Sequence, residues 1–264
     1  MTGYSEAVVE FYGISKKRRN EEAMDKIKKL KESFSKLNLT LTEKQYQQFL
    51  DYYELLVEWN KVMNLTGITE FDEVVMKHFV DSLSFVYAVS AEKSYKVKVL
   101  DMGTGAGFPG IPLKIAFPEM EMVLLDSLNK RIKFLSEVID KLELENITAI
   151  HGRAEEFARK EGYREQFDFC VSRAVANLAT LSEYCLPYVK KGGYFIPYKS
   201  GTIEEEIETS KKAVGILGGK IKEVKTFVLP ESDISRALVI IKKEKETHGK
   251  YPRSGGKPAK EPIH

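Results

Sequence analysis

The stretch VLDMGTGAGFPGIP, Val99 to Pro112, ends a short apolar run with four glycines and two prolines. A packed core has no need of them. A ligand that must reach the backbone does, because a Cβ would hold it away from the N–H groups of a turn and of the helix that follows. The glycines fit two registers. Gly105, Gly107 and Gly110 satisfy the GxGxxG spacing of a dinucleotide site, whereas Gly103, Gly105 and Gly107 behind Asp101 spell DxGxGxG. In the second register an acid stands at the strand end, where it would repel a pyrophosphate and attract an ammonium group.

Strand-length apolar runs recur around this turn: Val97 to Asp101, Met122 to Asp126, Ile147 to His151, Phe167 to Ser172 and Gly193 to Tyr198. Helical faces lie between them; Ile132, Leu135, Ile139 and Leu142 share one side. Strands separated by helix-length segments predict right-handed crossovers and a parallel sheet covered on both faces, a doubly wound α/β domain. IKEVKTFVLP and RALVIIKK are joined by ESDIS, too short for a helix, so the last strand should turn back antiparallel. Upstream, Leu50, Tyr53, Leu56 and Val57 keep helical spacing, Thr42 before Glu43 to Gln45 starts a helix, and Phe71 to Val89 is a further helical stretch. The expected organisation is a basic extension (1–20), a helical region (21–93), the α/β domain (94–246) and a basic, irregular C-terminal tail (247–264).

With 264 residues, 43% of them hydrophobic, the chain can bury a substantial core. Its net charge of +2 is unevenly spread: +3 over residues 1–40, +4 over 242–264 and therefore −5 between. Such basic ends suit phosphate attraction as well as they suit plain solvation. Two cysteines without metal-ligand or disulfide spacing point to a reducing, cytoplasmic location, with no metal and no membrane segment.

The second strand ends in Asp126, 23 residues beyond Gly103, where an acid can accept hydrogen bonds from ribose hydroxyls. Ribose plus ammonium, without a demand for phosphate, points to S-adenosylmethionine. The same two acids could instead only cap the helices that follow them. On the ligand reading, Asp101→Ala or Gly105→Val should abolish donor binding and leave the fold intact. Arg173, at the end of the fourth strand, offers donors for a carboxylate, a phosphate or a base edge, and equally a salt bridge to an acid such as Glu155. Neither the Asn-Pro-Pro-aromatic turn of exocyclic-amine methylation nor an exposed nucleophilic cysteine follows that strand; Cys170 reads as core. An acceptor such as guanine N7 would need positioning and not a general base.

EWNKVMNLTGI and HFVDSL, followed by DMGTGAGFPGIPL, LLDSLNKRIKFL, GRAEEF and FDFCVSRAVA, in this order and spacing in a match that runs from about residue 40 to 258, resemble the RsmG (GidB) family of bacterial 16S rRNA guanine-N7 methyltransferases. The resemblance implies a class I, Rossmann-like fold: a mostly parallel seven-stranded sheet with a C-terminal antiparallel hairpin and a small N-terminal helical region. It implies S-adenosylmethionine at Gly103 and Phe108, with Ala154 and Glu155 flanking the adenine and Arg173 completing the pocket. Asp101, Gly105, Gly107 and Asp126 join that set from the chemistry above. Asn64, His78 and Asp81, in family-like blocks of the helical region, become candidates for the acceptor side, and Lys199 for RNA phosphate or the guanine, with Arg173 and Lys199 as positioning candidates. Ser200 interrupts the Lys-Gly pair usual after that lysine. Lys250, Arg253 and Lys257 resemble a basic C-terminal RNA-binding segment, whose removal (residues 249–264) should weaken RNA binding and spare donor affinity. The implied partners are 16S rRNA and the small ribosomal subunit or its assembly intermediate; a monomer is expected.

Overall fold

The computed structural model describes residues 20–89, 95–173 and 176–263. The basic extension read at residues 1–20 lies, except for Asn20, outside the described residues.

Five strands, β1 (Lys98–Met102), β2 (Glu121–Asp126), β3 (Ile147–His151), β4 (Phe167–Arg173) and β5 (Val189–Ser200), pair in parallel. β6 (Gly219–Val228) and β7 (Ser235–Lys243) complete a seven-stranded sheet of order β3-β2-β1-β4-β5-β7-β6, in which β7 runs antiparallel to both β5 and β6. The expected hairpin is therefore present. Strand order reverses between β1 and β4, so a crevice opens above their carboxyl ends. β5 begins earlier than its apolar run, at Val189, because the chain continues pairing through a register shift near Gly193. A Cβ at Gly193 would stand 2.6 Å from the carbonyl oxygen of Asp168.

One face of the sheet carries α1 (20–35), α2 (Glu43–Met63), α5 (Gly110–Ala116) and α6 (Asn129–Lys141). Thr42 and Gln45 form a reciprocal capping box at the start of α2, as the sequence signals. The stretch from Phe71 is broken: α3 (Phe71–Val74) passes through a π-helical turn (Val75–Val80) into α4 (Asp81–Leu83) and a 3₁₀ turn (Ser84–Tyr87). These helices do not build a core of their own. Phe34, Phe49, Tyr52 and Phe79 are fully buried with Val99, Ile111 and Leu124 of the α/β part in one continuous cluster. Each such aromatic contributes about 2–3 kcal/mol by leaving water. Gln45 and Gln48 donate side-chain hydrogen bonds to Ile115 O (2.7 Å) and Leu142 O (2.7 Å), which ties α2 to the ends of α5 and α6.

The other face is covered by α7 (Ala154–Phe157), α8 (Leu178–Cys185) and α9 (Glu204–Ile216). Cys170 and Cys185 lie here as buried core, matching the reading of Cys170.

Residues 247–263, expected as an irregular basic tail, are irregular apart from α10 (Lys257–Lys260) and pack against the α/β domain. Tyr251 and Pro258 are buried, Arg164 Nη2 donates to Thr247 O (2.6 Å), Arg159 Nη2 donates to Pro252 O (2.7 Å), and Thr180 Oγ1 donates to Pro258 O (2.9 Å). The segment is a strap across α7 and α8.

Candidate active site

The turn after β1 is built by left-handed backbone at Gly103 (φ 68°), Gly105 (φ 63°) and Gly107 (φ 99°), a region that costs any other residue strain. The glycines do different work. A Cβ on Gly105 would meet nothing nearer than Gly103 O at 4.0 Å, so this glycine leaves open space on the groove side. A Cβ on Gly107 would stand 2.6 Å from Ile111 Cγ1 and 2.7 Å from Tyr52 Oη, and one on Gly110 would stand 2.3 Å from Leu124 Cδ2. Gly107, expected to touch cofactor, is buried and serves packing; Gly103 and Gly105 line the groove.

Asp101 also departs from its expected role as a direct ligand contact. Its side chain is buried, and Oδ2 accepts from Thr104 Oγ1 (2.6 Å) and Gly110 N–H (2.8 Å), closing the turn onto α5. Burial pushes its carboxyl up to about 6, against the lowering effect of those hydrogen bonds. Oδ1 is buried without a partner. Asp101 thus shapes the turn that carries Gly103 and Gly105.

Asp126 stands at the β2 end as expected. Its Oδ2 accepts from Gly105 N–H (2.9 Å) and Arg131 Nη1 (3.1 Å), and Oδ1 accepts from Leu128 N–H (2.9 Å). Two grooves meet at Gly103, Asp126 and Ser127. One, of about 380 Å³, runs past Gly152, Ala154 and Glu155 to Tyr184 and Gly256. The other, of about 400 Å³, runs past Gly105 and Phe108 to His78 and Arg173. Together they form a bent trough with an acid at the bend, open space over Gly105 and an apolar wall. These features fit a nucleoside joined to an amino acid: ribose hydroxyls at Asp126, base toward Ala154 and Glu155, and amino acid toward Gly103 and Gly105. A carboxylate can accept about four hydrogen bonds; Asp126 has three of 3.1 Å or less and a fourth from Arg131 Nη1 to Oδ1 at 3.5 Å, the one a ribose hydroxyl would replace.

At the far end, His78 stacks on Phe108 with ring centroids 4.4 Å apart, and Arg173 Cζ lies 5.1 Å from the Phe108 centroid. Arg173 donates from Nη1 to Asp81 Oδ2 (2.9 Å) and to the carbonyl of Lys77 in the π-helical turn (3.0 Å). Its ion-pair partner is therefore Asp81 and not Glu155. His78 Nδ1 lies 3.2 Å from Arg173 Nη2, which only donates, and 3.1 Å from the carbonyl oxygen of Lys77, which only accepts, so the ring nitrogen satisfies one of the two at a time. Burial, reinforced by the Arg173 charge, pushes His78 down to about 4, so the ring is neutral near pH 7. Beyond Arg173 opens a third cleft of about 530 Å³, lined by Lys77, Tyr198, Lys199, Ser200 and Arg236 among others. Asp81, buried, also accepts from Arg236 Nε (3.0 Å), so one carboxylate holds two guanidinia. Lys199 is drawn inward, donating to Ala176 O (2.6 Å) and Glu206 Oε1 (2.6 Å).

The remaining RNA candidates divide. Asn64 is exposed, lines none of these grooves and closes α2 in left-handed backbone (φ 46°), while its neighbours Leu65 and Thr66 line the trough. Lys250 and Lys257 are exposed, whereas Arg253 is committed to the buried Glu183 through Nε (2.9 Å) and Nη2 (2.7 Å). Tyr184, Arg131, Arg236 and Gly256 were missed. Only Arg131, five residues after Asp126 at the start of a helix, carried a local signal. Among the described residues no cluster of three or more potential metal ligands occurs, and no helix is long and apolar enough to cross a membrane.

Residues 45–238 match the family model described as rRNA small subunit methyltransferase G. A ribosomal RNA small subunit methyltransferase G of Lachnoclostridium phytofermentans is 60% identical over 231 residues, covering 86% of this chain and 93% of its own. A protein of the same name from Acetivibrio thermocellus is 49% identical and covers 92% and 99%. Among solved structures, a putative sarcosine dimethylglycine methyltransferase from Galdieria sulphuraria superposes with a TM-score of 0.50 at 14% identity, over 67% of this chain and 89% of that one, a likeness of fold alone.

Proposed function

The chain belongs to the rRNA small subunit methyltransferase G family and is an S-adenosylmethionine-dependent enzyme acting on small-subunit rRNA; from this premise we propose that its acceptor is N7 of a guanine in 16S rRNA. The observation that carries the reading is that Arg173 and His78 line both the trough and the third cleft, so a donor in one and a base in the other would meet beside them. When bound, S-adenosylmethionine supplies an electrophilic methyl group, which a ring nitrogen with a free lone pair accepts without losing a proton.

The chain's own part is then positioning. Asp126 orients the ribose, and the open face of Gly103 and Gly105 admits the amino-acid end. The His78–Phe108 stack walls off water, and the neutral His78 adds no second positive charge beside Arg173. Arg173, fixed by Asp81, holds a direction for its remaining donors, and Arg236 and Lys77, paired with Asp81 and Glu73, line the cleft with guanidinium and ammonium donors that a phosphate can share. Lys199 acts through Glu206 to shape the β5 end. Substrate presented as the small subunit or its assembly intermediate, a cytoplasmic setting and a monomeric enzyme accord with this reading. The test is borohydride and aniline cleavage of 16S rRNA treated with enzyme and donor, which reports 7-methylguanosine. One enzyme-dependent cleavage, lost with Arg173→Ala, is expected; its absence with the intact enzyme would overturn the N7 assignment.

A further inference from the structure

We infer that the C-terminal strap is a wall of the donor site, closing the adenine end of the trough, and that the Glu183–Arg253 ion pair is its positioning clasp. The inference rests on the reading of the trough as the S-adenosylmethionine site. Gly256, on the strap, lines the same groove as Ala154, Glu155 and Tyr184. The clasp lies one residue from that groove, because Glu183 precedes Tyr184 on α8. Glu183 is 1% exposed and takes three donors of Arg253: the backbone N–H (2.7 Å), Nε (2.9 Å) and Nη2 (2.7 Å). Arg253 Nη2 also donates to Glu261 O (2.7 Å), drawing the two ends of the strap together around Gly256.

A buried carboxylate saturated in this way fixes the strap in one position and not merely near the surface. Gly256 has left-handed backbone (φ 70°), and a Cβ there would meet no protein atom within 4 Å. Lys250 and Lys257 stay exposed on the same segment.

The experiment is calorimetry with S-adenosylhomocysteine, without RNA, on the intact chain, on a chain lacking residues 249–264 and on Glu183→Gln. Hydrogen exchange of residues 249–260 in the intact chain is measured with and without the same ligand. Contrary to the expectation from sequence that this deletion spares donor affinity, it is expected to lower affinity by about tenfold or more and Glu183→Gln by severalfold, while ligand slows exchange along the strap. Unchanged affinity in the deletion, or exchange indifferent to ligand, would overturn the wall. Should the deletion fail to fold, the exchange measurement alone decides. An intact chain that binds no S-adenosylhomocysteine would instead overturn the donor-site reading itself.

Discussion

The glycine turn after β1 and the C-terminal strap are built with the same devices. Each buries a carboxylate, Asp101 or Glu183, holds it with N–H or O–H donors, and carries glycines in left-handed backbone at the edge of the trough, although Oδ1 of Asp101 is left without a donor. They differ in the span of chain they close. Asp101 reaches Thr104 and Gly110, three and nine residues on, whereas Glu183 reaches Arg253 across 70 residues and Arg159 reaches Pro252 across 93. A local closure leaves its spacing in the sequence. A distant one leaves only an arginine, which looks the same whether it will face a carbonyl or water.

The sharpest way to break the comparison is to place bulk in the turn. Gly110→Val drives a branched side chain into Leu124 and Asp101 and should cost at least about 3 kcal/mol, read as loss of cooperative unfolding. Gly105→Val, facing open space, should stay folded at a strain of about 1–2 kcal/mol and lose S-adenosylhomocysteine binding by calorimetry. Equal stability of the two variants would erase the distinction between packing and groove glycines.

Arg253→Ala strands a buried charge and should lower stability by about 3 kcal/mol in urea unfolding, more than Glu183→Gln, because Arg253 keeps 26% of its side-chain surface exposed and can turn to solvent. Equal costs would show the strap to be held by its apolar contacts instead.

A smaller effect separates the turn from the acceptor side by pH. Asp101 at about 6 lies above the ordinary 3.8, so the folded chain binds the extra proton and stability falls as pH rises through that window. His78 at about 4 lies below 6.5, so the unfolded chain binds the extra proton and stability is lost as pH falls through that window. The slopes oppose. Asp101→Asn should make stability fall by about 2 kcal/mol from pH 6.5 to 4 relative to the intact chain, and His78→Gln should reverse the sign; parallel pH profiles for both would contradict the opposed burial of the two groups. Smallest of all, Lys250→Ala should leave stability and donor affinity unchanged and reduce the slope of log RNA affinity against log salt by about one, measured by filter binding.

Much of the fold was legible because strand and helix periods are local. The runs ending in Asp101 and Asp126 became β1 and β2, and ESDIS turned β6 back into β7. In the candidate site, the positions of Gly103, Gly105 and Asp126 around one trough followed from their places at strand ends, whereas Ala154 and Glu155 were implied by the family resemblance and not by spacing. Asp101 and Gly107 were read as ligand contacts because a motif gives positions and not directions; their side-chain vectors point into the packing beneath the turn. Arg173 was seen, but its partner Asp81 lies 92 residues away on another element, and the guess of Glu155 had only charge to go on.

By itself the sequence determined the layered α/β architecture, the glycine turn and the chemistry asked of its ligand, since each is set by residues within one strand-turn-helix unit. Tertiary structure alone decided which glycines face the groove, which carboxylate holds Arg173, and that a basic tail is a strap. Those outcomes depend on what a side chain meets after the chain has crossed the sheet, and charge, size and spacing along the backbone carry no record of that meeting.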